Sequence, residues 1–106
     1  MIIANLTVNI GKNAQNNWDL IDQSKSTDIW FHLENEPSSH VIIQTETDIL
    51  SRNIIYRVAL ECKKKSKFKK SNNISVIYTP IGNIKKGNDI GSVNIINYKL
   101  VKKINV

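Results

Sequence analysis

Apolar and polar residues alternate along several stretches of the chain, and the period of the alternation predicts most of its elements. Leu6, Val8 and Ile10 are separated by Asn5, Thr7 and Asn9. A period of two puts the three apolar side chains on one face of a half-buried strand. Gly11-Lys12-Asn13 ends it, and residues 14–23 read as a short helix or an irregular excursion. From Asp28 to Leu33 the alternation returns, with Ile29, Phe31 and Leu33 on one face and Trp30 and His32 on the other. Glu34-Asn35-Glu36-Pro37-Ser38 is turn chemistry. A third strand over 39–45 follows, in which His40 and Ile42 share a face and Val41 and Ile43 the opposite one. The two arms predict a hairpin with a histidine at matched ends of each.

The period then lengthens. Ile54, Ile55, Val58, Ala59 and Cys62 recur at helical spacing. They predict a helix capped by Thr47 or Asp48 and running to about Lys65. Cys62 lies on its apolar stripe, where a free thiol acts as a small buried core group. Ile74, Val76 and Tyr78 alternate as a further strand, stopped at Thr79-Pro80. Residues 81–86 predict a short extended piece leading into the Gly87-Asn88-Asp89 turn. Residues 93–96 and 100–104 predict a closing hairpin around Asn97-Tyr98. No repeat and no Pro/Gly/Ser-rich linker divides the 106 residues, a length that suits one core. The expectation is a single α+β domain over 1–106: a mostly antiparallel sheet packed against one main helix, in two layers.

Charge changes the picture from a fold to a partner. Fifteen Lys and Arg against nine Asp and Glu give a net charge of +6, and the pI is near 9.6. Such a basic small domain favours RNA, DNA or anionic lipid. Asn, Ile and Lys are over-used, as in chains encoded by AT-rich genomes, and arginine occurs only at Arg52 and Arg57. That bias does not explain clustering. Six lysines (Lys63, Lys64, Lys65, Lys67, Lys69 and Lys70) fall in eight positions, with Phe68 between them. Cations at a helix C-terminus are favourable against its dipole, and a row of them also suits successive phosphates. Lys85-Lys86, ahead of a glycine-containing turn, make a second basic site. The N-terminus lacks a basic n-region, and no segment is long and apolar enough to span a membrane. With a lone cysteine, a reducing, cytoplasmic setting without membrane insertion is expected.

His32 and His40 admit three readings: structural groups that fix the turn, contacts to a phosphate or base edge, or an acid–base pair that cleaves RNA. Two histidines without cysteine or a closely spaced carboxylate are too few for a metal site, so no metal or cofactor is expected. Trp30 is either core or a platform on which a base stacks. No nucleophile motif, phosphate-binding loop or acidic pair supports an enzyme.

The ordered set Gly11-Lys12-Asn13 with Asn16-Asn17, then Asp28-Ile29-Trp30-Phe31-His32, then Pro37-Ser38-Ser39-His40-Val41 resembles the NFACT-R domain family. Val76-Ile77-Tyr78-Thr79-Pro80, Lys85-Lys86 and Gly91 continue the likeness over nearly the whole chain. In that family the domain usually ends much larger ribosome-quality-control proteins, including fibronectin-binding-like bacterial relatives, and is regarded as an RNA-binding module. Stand-alone versions exist, and this chain resembles those. The resemblance implies a non-enzymatic module for structured RNA, ribosomal or transfer, with ribosome association. DNA is the other nucleic acid its charge suits. Lys12, Asn13, Trp30, His32, Ser39 and His40 would form the more specific patch, and the lysines of 63–70 with Lys85 and Lys86 the phosphate contacts. An adaptor that docks an acidic protein is the alternative. The chain also departs from the family. Lys12 stands for an arginine, losing a bidentate fork. Ser38 stands for a glycine, where a positive φ would strain the turn. The family's proline-containing basic loop is shortened to Lys85–Gly91.

Overall fold

The computed structural model describes residues 1–47 and 49–106. Among them, six strands form one antiparallel sheet: β1 (Ile2–Ile3), β2 (Leu6–Ile10), β3 (Ile29–Leu33), β4 (Val41–Ile43), β5 (Ser75–Pro80) and β8 (Lys102–Asn105), in the order β1-β2-β4-β3-β5-β8. A separate ribbon pairs β6 (Ile84–Lys86) with β7 (Val93–Ile95). Two helices, α1 (Ala14–Gln23) and α2 (Arg52–Lys64), complete the fold. The α+β class and the antiparallel sheet are as the sequence pattern indicates; beyond the one main helix expected, α1 and the ribbon add cover on the sheet face opposite α2.

The strand alternation sorts the core. Ile29, Phe31, Leu33, Val41, Ile43 and Val76 meet Val58, Ala59 and Cys62 of α2 in one apolar cluster. Phe31, Val41, Ile43 and Val58 are fully buried, each such side chain contributing about 1.5–3 kcal/mol. The opposite sheet face carries a smaller cluster. Trp30 and Ile42 pack there with Ile81 and Ile84, under Leu20 and Ile21 of α1 and Val93 and Ile95 of the ribbon. Residues 14–23 therefore form a helix because Leu20 and Ile21 have somewhere to bury.

Several boundaries move. The strand read as first is preceded by β1, joined to it through Ala4 and Asn5 at φ 50° and 67°. Two successive positive φ values match the twist of a two-residue hairpin loop. The helix cap is Ser51, whose Oγ accepts from Ile54 N at 3.2 Å. Thr47 does not cap, because its hydroxyl accepts from Ile49 N at 3.1 Å in a local turn; Asp48 lies outside the described residues. The third strand shortens from 39–45 to Val41–Ile43. Its flanks are held by other partners: Asn17 Oδ1 accepts from His40 N at 3.3 Å and Asp28 Oδ1 from Thr45 N at 3.1 Å.

The predicted closing hairpin does not form. β7 pairs with β6 (Ile84 opposite Ile95), and β8 pairs with β5 (Val76 opposite Ile104). The reason is Asn83. Its Nδ2 donates to Asn97 O at 2.9 Å and its Oδ1 accepts from Asn97 N at 2.9 Å. Its carbonyl accepts from Ile96 N at 2.8 Å. This clamp fixes residues 96–97 where a hairpin turn would need to close, so the chain diverges there. Residues 81–83, read as extended, form a 3-10 turn instead.

Candidate nucleic-acid interface

α1 and the β6–β7 ribbon cover only part of the second sheet face. The remainder is an open groove of about 1300 Å³. Trp30, His32 and Ile77 form its floor; the start of α1, the β3–β4 turn, the turn after α2 and residues 90–92 form its walls.

The β3–β4 register pairs Trp30 with Ile42 and Phe31 with Val41, so one further step sets His32 against His40. Their rings lie edge to face with centroids 5.2 Å apart. Trp30 stacks on His32 at 5.5 Å and meets His40 edge-on at 5.5 Å. Leu33 O lies 2.7 Å from His32 Nδ1. Burial pushes the pKa of His32 down, and burial followed by the charge of His32 pushes that of His40 from 6.5 to about 4. Both imidazoles are therefore neutral at pH 7. Among the described residues, Trp30 Nε1 and His40 Nδ1 are buried without a hydrogen-bond partner.

The segment from Gly11 to Asn17 holds this trio in place. Gly11 N donates to His40 O at 2.9 Å, while Asn17 Oδ1 takes His40 N. A Cβ on residue 11 would sit 1.7 Å from Asn17 Oδ1, which is why glycine stands there. Asn13 caps α1, its Oδ1 accepting from Asn16 N at 2.8 Å. The β3–β4 turn takes its positive φ at Asn35 (61°), not at Ser38. Ser38 is unstrained, and its hydroxyl accepts from Leu33 N at 3.1 Å. The strain expected of that serine is absent.

The residues singled out from the sequence divide into two sets. Lys12, Asn13, Trp30, His32, Ser39, His40, Lys65 and Lys67 come together around the groove. Trp30, 2% exposed, does so as a core residue with its ring covered. The lysine run does not continue the helix: α2 ends at Lys64, and Ser66 Oγ bonds Lys63 O at 2.7 Å to turn the chain. Phe68 packs on the α2-side core, so the turn faces Lys65 and Lys67 to the groove. Lys63, Lys64, Lys69 and Lys70 lie outside it, with Lys64 paired to Glu61 at 3.1 Å. Lys85 and Lys86 are on the ribbon, away from the groove. Lys86 is engaged by Asp22 at 2.8 Å and sits 5.3 Å over the Trp18 ring.

Sequence reasoning missed two groove residues, Lys103 and Tyr98. Lys103 Nζ pairs with Glu34 at 2.6 Å, and its hydrogen bond holds the Glu34 carboxyl below the usual range. Its placement follows from pairing with Ile77 across β5–β8; without that register, Lys102 and Lys103 read as an ordinary solvated pair. Tyr98 was hidden inside an assumed turn. The described residues contain no group of three or more His, Cys, Asp or Glu side chains placed to hold a metal ion.

The model of a family described as the NFACT protein RNA binding domain matches residues 3–96. Coiled-coil domain-containing protein 25 of Mus musculus is 33% identical over 107 residues, covering 94% of this chain and 51% of that protein. Its Danio rerio counterpart is 34% identical with 94% and 52% covered, so the chain spans about half the length of these curated relatives. The Rqc2 homolog RqcH of Bacillus subtilis (strain 168) is 34% identical over 84 residues, 78% of this chain and 14% of that protein. Among solved structures, the C-terminal part of the fibronectin/fibrinogen-binding protein of Streptococcus suis superposes with a TM-score of 0.82 at 26% identity, covering 93% of this chain and 40% of that one. Family model, curated relatives and fold agree, and the chain belongs to the NFACT RNA-binding domain family.

Proposed function

We propose that this protein is a non-enzymatic RNA-binding module that takes RNA into the groove beside the Trp30–His32–His40 trio. The observation that carries this reading is the convergence of Lys12, Lys65, Lys67 and Lys103 on one groove, from three separate segments. Cations gathered on one groove repel one another, a cost that an anion among them relieves, and among the described residues Lys103 is the one of the four with a carboxylate partner. Family membership supports RNA as that anion. Ribosomal or transfer RNA is the target class the family favours, in a cytoplasmic, ribosome-associated setting.

The same geometry argues against a histidine-pair nuclease. General acid–base catalysis works best with a pKa near the operating pH. His40 is 3% exposed with a pKa near 4, so it neither reaches a ribose hydroxyl nor carries a proton at neutral pH. Cys62, pushed up to about 11 by burial, is no nucleophile either.

Fluorescence anisotropy against a structured RNA tests the reading. With four phosphates neutralised, affinity falls roughly 50- to 150-fold from 50 to 200 mM monovalent salt. The triple variant K12S/K65S/K67S weakens binding and flattens that slope. Unchanged affinity in this variant would sink the groove assignment. Partners that survive nuclease treatment of a pull-down, with no RNA affinity at low salt, would replace it with an acidic protein ligand.

A further inference from the structure

Tyr98 stands 76% exposed, well beyond Tyr56 at 44%, and it lines the groove. Its backbone is pinned. Asn83 clamps the preceding Asn97 through two hydrogen bonds of 2.9 Å. Thr79 Oγ1 donates to Leu100 O at 3.1 Å, and Val101 N donates to Tyr98 O at 3.2 Å. A large aromatic ring is thus held out in water by a rigid, hydrogen-bonded turn. Lys99 follows it in the chain, and Lys103 lies in the same groove. A rigid aromatic platform with cations beside it loses little freedom when a flat π-system settles on it.

We propose that Tyr98 is a stacking platform for an unpaired base, so that the groove selects RNA with a looped, bulged or terminal nucleotide over uniform duplex. The proposal rests on the RNA reading above and narrows it. In a duplex the base faces are stacked on each other and unavailable; a splayed base offers its face to an aromatic side chain while the lysines hold the flanking phosphates. Neither Trp30 nor Phe31 serves this purpose, being 2% and 0% exposed. His32, half-buried with Trp30 stacked on it, remains a groove-floor contact.

The test compares Tyr98→Ala and Tyr98→Phe on two RNAs of equal length, a stem-loop and a fully paired duplex. Loss of one stacked base corresponds to roughly a 5- to 150-fold weaker affinity. The expected result is a loss of that size for Tyr98→Ala on the stem-loop, a change under about twofold on the duplex, and near wild-type affinity for Tyr98→Phe. Ultraviolet crosslinking followed by mass spectrometry is expected to place a loop nucleotide on Tyr98. The proposal is overturned, with the RNA reading intact, if the lysine triple variant loses affinity while Tyr98→Ala does not. Equal losses on both RNAs also overturn it. Loss of a nuclease-resistant protein partner in Tyr98→Ala, with RNA affinity unchanged, reassigns the ring to protein docking. No RNA affinity in the wild-type chain at low salt removes the parent reading and this one together.

Discussion

His40 gives up its water when the chain folds, and Trp30 and His32 take up the space around its ring at 5.5 and 5.2 Å. Burial first, and then the charge of His32, lowers its pKa from 6.5 to about 4, with the backbone of Gly91 pulling slightly the other way. The unfolded chain therefore binds a proton below pH 6.5 that the folded chain refuses until about pH 4. The stabilisation is complete above 6.5 and is lost progressively as the pH falls through that window, because the unfolded state holds more protons there. A shift of this size corresponds to something on the order of 3 kcal/mol. His32 shifts in the same direction and adds to it. Urea unfolding at pH 7.5, 6.5 and 5.5 is expected to show a falling midpoint, and His40→Gln is expected to flatten the trend. A wild-type midpoint independent of pH over this range would show that His40 is more hydrated than its packing indicates. The two histidines thus act chiefly as neutral aromatic groups that join the hairpin to α1, with the face of His32 left toward the groove.

At the scale of elements, the groove exists because the β6–β7 ribbon leans on α1 and leaves the β5–β8 side open. Trp18 Nε1 donates to Ser92 O at 2.8 Å, and Lys86 pairs with Asp22 at 2.8 Å; both ties join the ribbon to α1. Gly91 lies beside them at φ +88°, where a Cβ would come within 2.9 Å of Ala14 Cα. Gly91→Ala combines a left-handed backbone with a main-chain clash, so it is expected to lift the loop from α1, destabilising by about 1–3 kcal/mol. Because residues 90–92 are a groove wall, RNA affinity should fall with it. Stability and affinity both unchanged would mean that the loop does not define the wall. Such ties also explain what could be read from the sequence. The β3–β4 hairpin and the α2 stripe were legible because short-range periodicity decides them: Ile29, Phe31 and Leu33 separate from Trp30 and His32 by alternation alone. The fate of residues 93–104 was not legible. It is decided by a long-range amide clamp from Asn83, and an asparagine in a turn-rich segment carries no signal of which backbone it will hold. The groove inherits the same division. Its floor and Lys12 were visible as motif residues, whereas Lys103 and Tyr98 depend on the β5–β8 register and on that clamp.

The whole molecule measures 31 × 29 × 28 Å and carries a net charge of +6. These two facts assign a different role to the lysines that lie outside the groove. At 10 mM ionic strength the screening length is about 30 Å, as long as the protein is wide; at 150 mM it is about 8 Å. In dilute salt an approaching polyanion therefore feels every lysine at once, including the exposed Lys69, Lys70 and Lys85. At physiological salt it feels mainly those it touches. Charges that act only at a distance change the rate of encounter, whereas charges in contact change the lifetime of the complex. The variant K69S/K70S/K85S is accordingly expected to slow association with RNA several-fold at 10 mM salt and hardly at all at 150 mM, with dissociation unaltered at both. K12S/K65S/K67S is expected to speed dissociation at both salt concentrations. Stopped-flow association and dissociation traces for the two variants separate these effects. If K69S/K70S/K85S instead speeds dissociation at 150 mM, the RNA path leaves the groove and runs over the turn after α2, and the interface is wider than the groove that the four converging lysines mark out.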